Sequence, residues 1–313
     1  MSLIPTVYRS TDPGAPVLSG IAGSLAALMD AVLVDGYGTG PAAKPGLGWV
    51  RAFSEGHKRA YQNSLADGGT GMFHRLDDAN GYYAMVSGYH SMSSVDVGVD
   101  GFALTANAWG KSITADTTSR QWVIVGNSRT AYVFIQNGHL TNNTAYIGYI
   151  VGDYECLNKD YQFNFCIGTT GNASVTTGTP RSNLLSFGNG SGDSSYGRTF
   201  AARNFSGSKI GADLVPREPL ITGGAYHGGN PGLAYPYPPT GGMVIARVLV
   251  NSGGLLFGAL PGMWSPQHSG VLSRFTLYSG LRGLGDGEFI AVESSSNNSL
   301  CQGLLRIDRE WDY

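Results

Sequence analysis

The amino-acid sequence predicts a mainly β protein, in which an antiparallel β-sandwich or barrel-like body carries one N-terminal helix and an extended N-terminal arm. Charged residues make up only 13% of the 313 residues, about half the usual share near 25%. Glycine contributes 47 residues and tyrosine 17, which is typical of an ordered, loop-rich β protein. Short runs of β-branched and aromatic residues also alternate with polar turns, as in sandwiches and barrels.

The N-terminal region is predicted to contain the arm, the helix and a linker. Three prolines among the first 17 residues favour an extended arm. Ser19 is a candidate N-cap for a helix over residues 20–35, and Gly36 follows at its end. The helix is predicted because apolar side chains recur at helical spacing on one face: Ile21, Leu25, Leu28, Met29 and Val32. Residues 37–48, rich in glycine and proline, are expected to form a linker.

From residue 49 onward the pattern predicts β-hairpins. Paired strands are expected over residues 49–53 and 59–62, 72–76 and 82–89, 121–125 and 130–136, and 146–151 and 161–167. Residues 169–211 and 223–239 are dominated by glycine and other turn formers and are expected to be long surface loops. Residues 243–250 form an apolar run suited to a buried central strand. Later strands are expected over residues 275–278, 288–293 and 304–307.

These elements suggest three regions. Residues 1–48 hold the arm, helix and linker, residues 49–215 form a β domain, and residues 216–313 form a β-rich C-terminal portion that can belong to the same body. The chain has no repeat of fixed period, which argues against a solenoid or propeller.

Charge, cysteine content and hydropathy limit the class of protein. A net charge of -2 gives no basic surface for nucleic acid and no polybasic membrane patch. Cys156, Cys166 and Cys301 are too few for a disulfide framework and are expected to be buried thiols of a protein made in a reducing cytosol. We expect no signal peptide and no transmembrane segment, since the longest apolar stretch, residues 21–34, is too short to span a bilayer.

No catalytic, cofactor or metal site is predicted from the motifs. The six histidines show no zinc-binding spacing, and no Gly-x-Ser-x-Gly elbow occurs. Close acidic pairs could supply the facing carboxylates of a glycosidase, which lie about 5 to 10 Å apart. The pairs are Asp77–Asp78, Asp153–Glu155, Asp286–Glu288 and Asp308–Glu310. Because the chain has 22 acidic residues, a few such pairs are expected without any catalytic meaning.

Aromatic residues supply the one candidate binding surface. Tyr226, Tyr235 and Tyr237 lie in a loop rich in glycine and proline, and Trp264 lies further along the chain. Tyrosines on such loops give a large contact area at low entropic cost, so these four residues are candidates for contact with a ligand or receptor. They are equally suited to anchoring a long loop on the body.

Several segments resemble a family of virion structural proteins of similar length, encoded among the morphogenesis genes of tailed bacteriophages. These segments are YRSTDPGAP (8–16), SGIAGSLAAL (19–28), VLVDGYG (32–38), WVIVGNSRTAYVF (122–134), GDY (152–154) and LPGMWSP (260–266). The resemblance extends over most of the chain, and its motifs are structural. It implies a component of the virus particle, and it supplies no catalytic residues.

On that resemblance we expect a non-enzymatic structural protein of a tailed-phage virion, in the tail or baseplate rather than on the head. It would assemble in the host cytoplasm with copies of itself and with other virion proteins, its arm latching a neighbour by strand addition. An alternative is a carbohydrate- or receptor-binding module that uses Tyr226, Tyr235, Tyr237 and Trp264. A further alternative is a glycan-cleaving enzyme that uses a pair such as Asp153 and Glu155.

Overall fold

The computed structural model confirms a mainly β fold with antiparallel sheets and one short α-helix. It describes residues 3–102, 108–136, 146–157, 164–169, 198–201, 213–217, 241–252, 255–266, 272–292 and 303–313. The helix, α1 (Ser24–Met29), continues as a π-helix over Asp30–Asp35, and a short 3-10 turn follows at Gly40–Ala42.

Twenty strands occur within the described ranges. The first ten are β1 (Thr6–Arg9), β2 (Val50–Glu55), β3 (Lys58–Gln62), β4 (Phe73–Asp77), β5 (Tyr83–Tyr89), β6 (Ser91–Ser94), β7 (Val97–Val99), β8 (Ala108–Gly110), β9 (Trp122–Gly126) and β10 (Thr130–Ile135). The others are β11 (Ile147–Asp153), β12 (Glu155–Cys156), β13 (Phe165–Thr169), β14 (Arg198–Ala201), β15 (Asp213–Arg217), β16 (Ile245–Ser252), β17 (Leu255–Pro266), β18 (Leu277–Ser279), β19 (Glu288–Val292) and β20 (Gly303–Arg306).

The strands form one long sheet, one five-stranded sheet and a small two-stranded ribbon. The long sheet has the order β1-β9-β10-β11-β13-β14-β15-β16-β17-β20-β19-β18. The five-stranded sheet has the order β2-β3-β4-β5-β8, and β6 pairs with β7. β12 follows β11 directly and pairs with β17 from the other half of the long sheet. The long sheet therefore folds over so that its two halves face each other.

Strands β9, β10, β11 and β13 form a central layer with both faces buried. On β9, Trp122 and Ile124 belong to one apolar cluster, whereas Val123 and Val125 belong to another. This alternation arises because successive side chains of a strand point to opposite faces. Two buried faces explain why these strands are almost continuously apolar in sequence.

Each face of the central layer packs against a different partner. On one face lie α1 and the five-stranded sheet, which contribute Leu28, Tyr61 and Trp109 to the shared core. On the other face lie β16, β17, β19 and β20, which contribute residues such as Val248 and Leu305. The described chain is thus a layered, sandwich-like β structure with no closed barrel among the described residues.

The helix begins later than the apolar spacing indicates. It was expected over residues 20–35 with Ser19 as its cap, but α1 starts at residue 24 and its N-cap is Gly23, at a φ of 84°. The expectation of Ser19 was wrong because a distant side chain supplies the cap. Asp78, in the turn after β4, accepts hydrogen bonds from two backbone amides of the first turn, at 2.8 and 3.0 Å.

Most hairpins expected from the sequence are present with bounds shifted by one or two residues. The main omission is β17, whose pattern is interrupted by Pro261 and Gly262. Both lie where the pairing of β16 with β17 shifts register, between Arg247 and Leu249, and a bulge tolerates proline. Gly262 has a φ of 64° and lies against the Trp311 ring, where a Cβ would approach Nε1 to 2.1 Å.

The two long loops expected from the sequence have different outcomes. The loop expected over residues 169–211 is wrong at residues 198–201, which form β14 and pair with β13 and β15. The loop expected over residues 223–239 lies outside the described residues.

Candidate functional site

The N-terminal segment, expected to latch a neighbouring subunit, lies on its own body in this structure. Residues Thr6 to Arg9 form β1, which pairs with β9 in antiparallel register from Thr6–Gly126 to Arg9–Val123. β1 is the terminal strand of the long sheet in the described chain. The segment is therefore extended over Thr6–Arg9, where it adds to a sheet edge within one chain, but residues 10–14 form turns instead of the extended arm that was expected.

Tyr8 is the main apolar anchor of this segment. Its side chain is buried, and its hydroxyl donates a hydrogen bond to the carbonyl oxygen of Pro45 at 2.6 Å. The ring packs against Tyr37, with 5.8 Å between centroids, and the Lys44 ammonium lies 5.7 Å from its centroid. Burial raises the pKa of Tyr8 to about 12, so the hydroxyl remains a donor over the physiological range.

Asp12 is the polar anchor of the same segment. Its carboxylate accepts hydrogen bonds from the Arg9 amide, the Tyr37 hydroxyl and the Lys44 ammonium, each at 2.7 Å. Burial alone would raise the pKa of Asp12, but the hydrogen bonds from Lys44 and Tyr37 outweigh it and hold that pKa below its usual value. Asp12 thus joins the arm to residues 37–48, the segment expected to be a linker.

Three further hydrogen bonds attach the segment to the rest of the chain. The Asn127 side chain donates to the carbonyl oxygen of Leu3 at 2.8 Å. Trp122 donates through Nε1 to the carbonyl oxygen of Pro16 at 3.1 Å. The Arg9 guanidinium donates to the carbonyl oxygen of Phe275 at 2.9 Å. The arm consequently touches the central layer and the C-terminal half of the long sheet.

Trp264, one of the four candidate ligand-contact residues, lies on β17 with its side chain half-buried. The guanidinium carbon of Arg247 lies 5.6 Å from its ring centroid, and Arg247 in turn forms an ion pair with Glu155. The ring therefore has a cation partner within the chain. The other three candidates, Tyr226, Tyr235 and Tyr237, lie outside the described residues.

Asp153, a candidate glycosidase carboxylate, is completely buried at the end of β11. It accepts hydrogen bonds from the Asn63 amide at 2.8 Å, from the Thr70 hydroxyl at 2.7 Å and from the Arg129 guanidinium at 3.0 Å. Burial raises the pKa of Asp153, and the contact with Arg129 opposes this rise. The carboxylate joins the 63–71 loop to the central layer and has no exposed surface at which a substrate could meet it.

Three other acidic residues of the candidate pairs, Glu155, Asp77 and Asp308, also lie close to cations. Asp153 and Glu155 face different cations, Arg129 and Arg247. Asp77 lies 3.4 Å from the Arg75 guanidinium, and Asp308 lies 2.8 Å from that of Arg306. These contacts indicate structural ion pairs.

Asp78, a member of the candidate acidic pair Asp77–Asp78, forms a fully buried ion pair with Lys111. Its partner lies 33 residues away in sequence, so no local motif indicates the contact. Burial raises the pKa of the Asp78 carboxyl and lowers the pKa of the Lys111 ammonium, while their mutual attraction opposes both shifts.

His74 on β4 is a buried polar group that the sequence does not single out. Its ring is stacked between Tyr61, at 6.3 Å between centroids, and Trp109, at 4.9 Å. Within the described part of the chain, neither ring nitrogen has a hydrogen-bond partner. Burial lowers the pKa of His74 to about 3, so the imidazole is uncharged at neutral pH.

The described ranges hold neither a cluster of metal-ligating side chains nor a membrane-spanning helix. No group of three histidine, cysteine, aspartate or glutamate side chains converges there in a way that could hold a metal ion. No helix among these residues is both long enough and apolar enough to cross a lipid bilayer. Cys156 and Cys166 are buried, as the sequence predicts, whereas Cys301 lies outside the described residues.

No protein-family model matches the chain, and no curated protein matches it significantly.

Proposed function

We propose that this chain is a non-enzymatic structural component of a tailed-bacteriophage virion, in the tail or baseplate rather than on the head. It would act by assembling in the host cytoplasm with copies of itself and with other virion proteins. The segments that resemble phage morphogenesis proteins support this assignment, as does the low content of charged residues, which are depleted in interface cores.

The observation that carries the assembly mechanism is the position of β1. β1 is an end strand of the long sheet and pairs only with β9 among the described strands. Strand addition to a sheet edge is a recurring mode of association, in which backbone hydrogen bonds supply affinity and side-chain pockets supply specificity. In the assembly, a neighbouring copy would supply β1, with Tyr8 and Asp12 making the same contacts between chains.

An engineered disulfide distinguishes a strand supplied by a neighbour from one supplied by its own chain. Val7 and Val125 are directly paired residues of β1 and β9, so cysteines at both positions lie within disulfide range. We expect the Val7→Cys/Val125→Cys double variant to form covalent multimers on oxidation at assembling concentrations. The matched controls are the two single variants, which should form no such multimers.

Light scattering provides a second test of assembly through β1. It compares the mass of the full chain with the mass of a chain that lacks residues 1–17. We expect a discrete oligomer for the full chain and its dissociation when the segment is removed. An oxidised double variant that contains only bonds within one chain, together with a monomeric full chain, would contradict assembly through β1.

The alternative of a carbohydrate- or receptor-binding module has a different test. Replacing Tyr226, Tyr235 and Tyr237 together by alanine should abolish binding to host cells and leave the oligomeric state intact if these residues contact a receptor. Trp264→Ala serves as a comparison, because the ring contacts Arg247 and its loss is expected to lower stability. Unchanged cell binding by the triple variant would exclude this alternative.

A further inference from the structure

The Asp78–Lys111 pair brings a carboxyl group and an amine together in a site closed to water. The ammonium nitrogen lies 2.5 Å from Oδ1 of Asp78, and both side chains are fully buried. The backbone around Asp78 is fixed, because its amide donates to the carbonyl oxygen of His57 and its carbonyl oxygen accepts from the amide of Gly23. The amide of Lys111 donates to the carbonyl oxygen of Tyr82. Neither reacting group needs to move far to meet the other.

The second oxygen of Asp78 is held by two backbone donors. Oδ2 accepts hydrogen bonds from the amides of Leu25 at 2.8 Å and Ala26 at 3.0 Å. Two such amides stabilise the negative charge that develops on a carboxyl oxygen when a nucleophile attacks its carbon. The ammonium also donates to the carbonyl oxygen of Ile21 at 2.7 Å, which orients the nitrogen.

Burial favours the uncharged forms that the chemistry needs. It raises the pKa of Asp78 and lowers that of Lys111, so transfer of one proton across the short contact gives a carboxylic acid and a neutral amine. A desolvated lysine amine is a competent nucleophile. Holding two reactants in place gives effective concentrations of about 10⁵ to 10⁸ M.

We propose that Lys111 and Asp78 become joined by a side-chain amide bond, an isopeptide cross-link formed by the folded chain itself. The lysine nitrogen attacks the carboxyl carbon, forming the new C–N bond, while the charge on Oδ2 is held by the amides of Leu25 and Ala26. The C–Oδ1 bond then breaks, and Oδ1 leaves as water with protons that come from the lysine nitrogen. The reaction needs no co-reactant and changes no oxidation state.

The cross-link would connect the turn after β4 to the residue that follows β8. These strands flank β5 in the five-stranded sheet, so the bond would clamp three adjacent strands and hold the start of α1 against them. It depends only on the fold and holds whether or not the chain is a virion protein.

Mass spectrometry of the denatured wild-type chain tests the proposal directly. Trypsin cleaves after Arg75, Lys111 and Arg120 in an unmodified chain, giving a peptide of residues 76–111. Trypsin does not cleave after a lysine whose side chain is in amide linkage. We therefore expect a peptide of residues 76–120 whose mass is lower than that of its sequence by one water, about 18 Da. Both linked residues lie in this peptide, so the cross-link closes a loop around residues 79–110. Cleavage of one backbone bond inside that loop should therefore release no separate fragment ions.

Two variants serve as controls. Lys111→Arg cannot form the amide and should have the full mass of its sequence. Lys58 lies 2.6 Å from Asp96, but both side chains are partly exposed, so this ammonium stays charged and Lys58→Arg should retain the deficit of one water. A deficit that persists in Lys111→Arg would indicate dehydration of an aspartate alone and would overturn the proposal. A full-mass peptide of residues 76–111 as the main product after a week at neutral pH would also overturn it.

Discussion

The His74 side chain is held by ring stacking and packing, without a hydrogen bond to either nitrogen in the described structure. The hydroxyl of Tyr61, one of the two stacked rings, donates a hydrogen bond to the Asp30 carboxylate at 2.9 Å. A positive imidazole at this position would lose its hydration with no direct acceptor in return.

We therefore predict an acid-dependent loss of stability due to His74. The unfolded chain binds a proton near the ordinary pKa of about 6.5, whereas the folded chain does so near about 3. Stability is therefore lost as the pH falls below about 6.5, and between pH 7 and pH 5 the loss is about 2 kcal/mol. Urea unfolding at both pH values measures it. The His74→Phe variant keeps a stacked ring that does not titrate, so its free energy of unfolding should fall by about 2 kcal/mol less than that of the wild-type chain between pH 7 and pH 5. An equal fall in both proteins would contradict the assignment to His74.

Asp153 is predicted to be structural. Asp153→Ala leaves the Arg129 guanidinium, the Asn63 amide and the Thr70 hydroxyl without their buried acceptor, which should lower the free energy of unfolding by about 3 to 5 kcal/mol. The matched control is Asp35→Ala, which removes a half-exposed ion pair with Arg51 and should cost less than about 1 kcal/mol. Chemical denaturation of both variants gives the comparison, and equal losses would contradict a special role for Asp153.

At the scale of single elements, the sequence predicts hairpins better than isolated strands. The pair β9 and β10 has β-branched residues on both sides of a polar turn, so the signal is local. β17 was missed because Pro261 and Gly262 break its pattern at a bulge that only pairing with β16 defines. The start of α1 was missed for a similar reason, since its cap, Asp78, is remote in sequence. Local patterns identify elements whose stabilising contacts are themselves local.

The docking of β1 provides a prediction at this scale. Tyr8→Ala should lower the free energy of unfolding by about 3 to 5 kcal/mol, the range for loss of a buried aromatic side chain. Tyr8→Phe keeps the ring and loses only the hydrogen bond to Pro45, so it should cost about 1 kcal/mol. Thermal or urea unfolding separates the two. A Tyr8→Phe variant as unstable as Tyr8→Ala would show that packing of the ring is not the main contribution.

For the whole molecule, the central layer is the part most removed from solvent. The sequence predicts a β-sandwich from composition and strand spacing, but it does not show that β9, β10, β11 and β13 are covered on both sides. Which layer is central depends on the folding over of the long sheet, where β12 meets β17. That contact lies about a hundred residues apart in sequence and has no local signal.

Amide hydrogen exchange should report this layering. Amides of β9, β10 and β11 are expected to exchange only when the whole molecule unfolds. Those of β6 and β7, where Val97 and Val99 are more than half exposed, should exchange at least about 100-fold faster through local opening. Similar rates in both regions would contradict a central layer of this kind.

Asn127 contacts both the first and the last described residues of the chain. Its amide nitrogen donates to the carbonyl oxygen of Leu3 at 2.8 Å, and its oxygen accepts a hydrogen bond from the Tyr313 hydroxyl at 2.9 Å. Since Leu3 and Tyr313 share the Asn127 side chain as a partner, a short linker between these two regions would close the backbone into a ring. A circularised chain would keep β1 on its own body, so any oligomer that it still formed would assemble through a different surface.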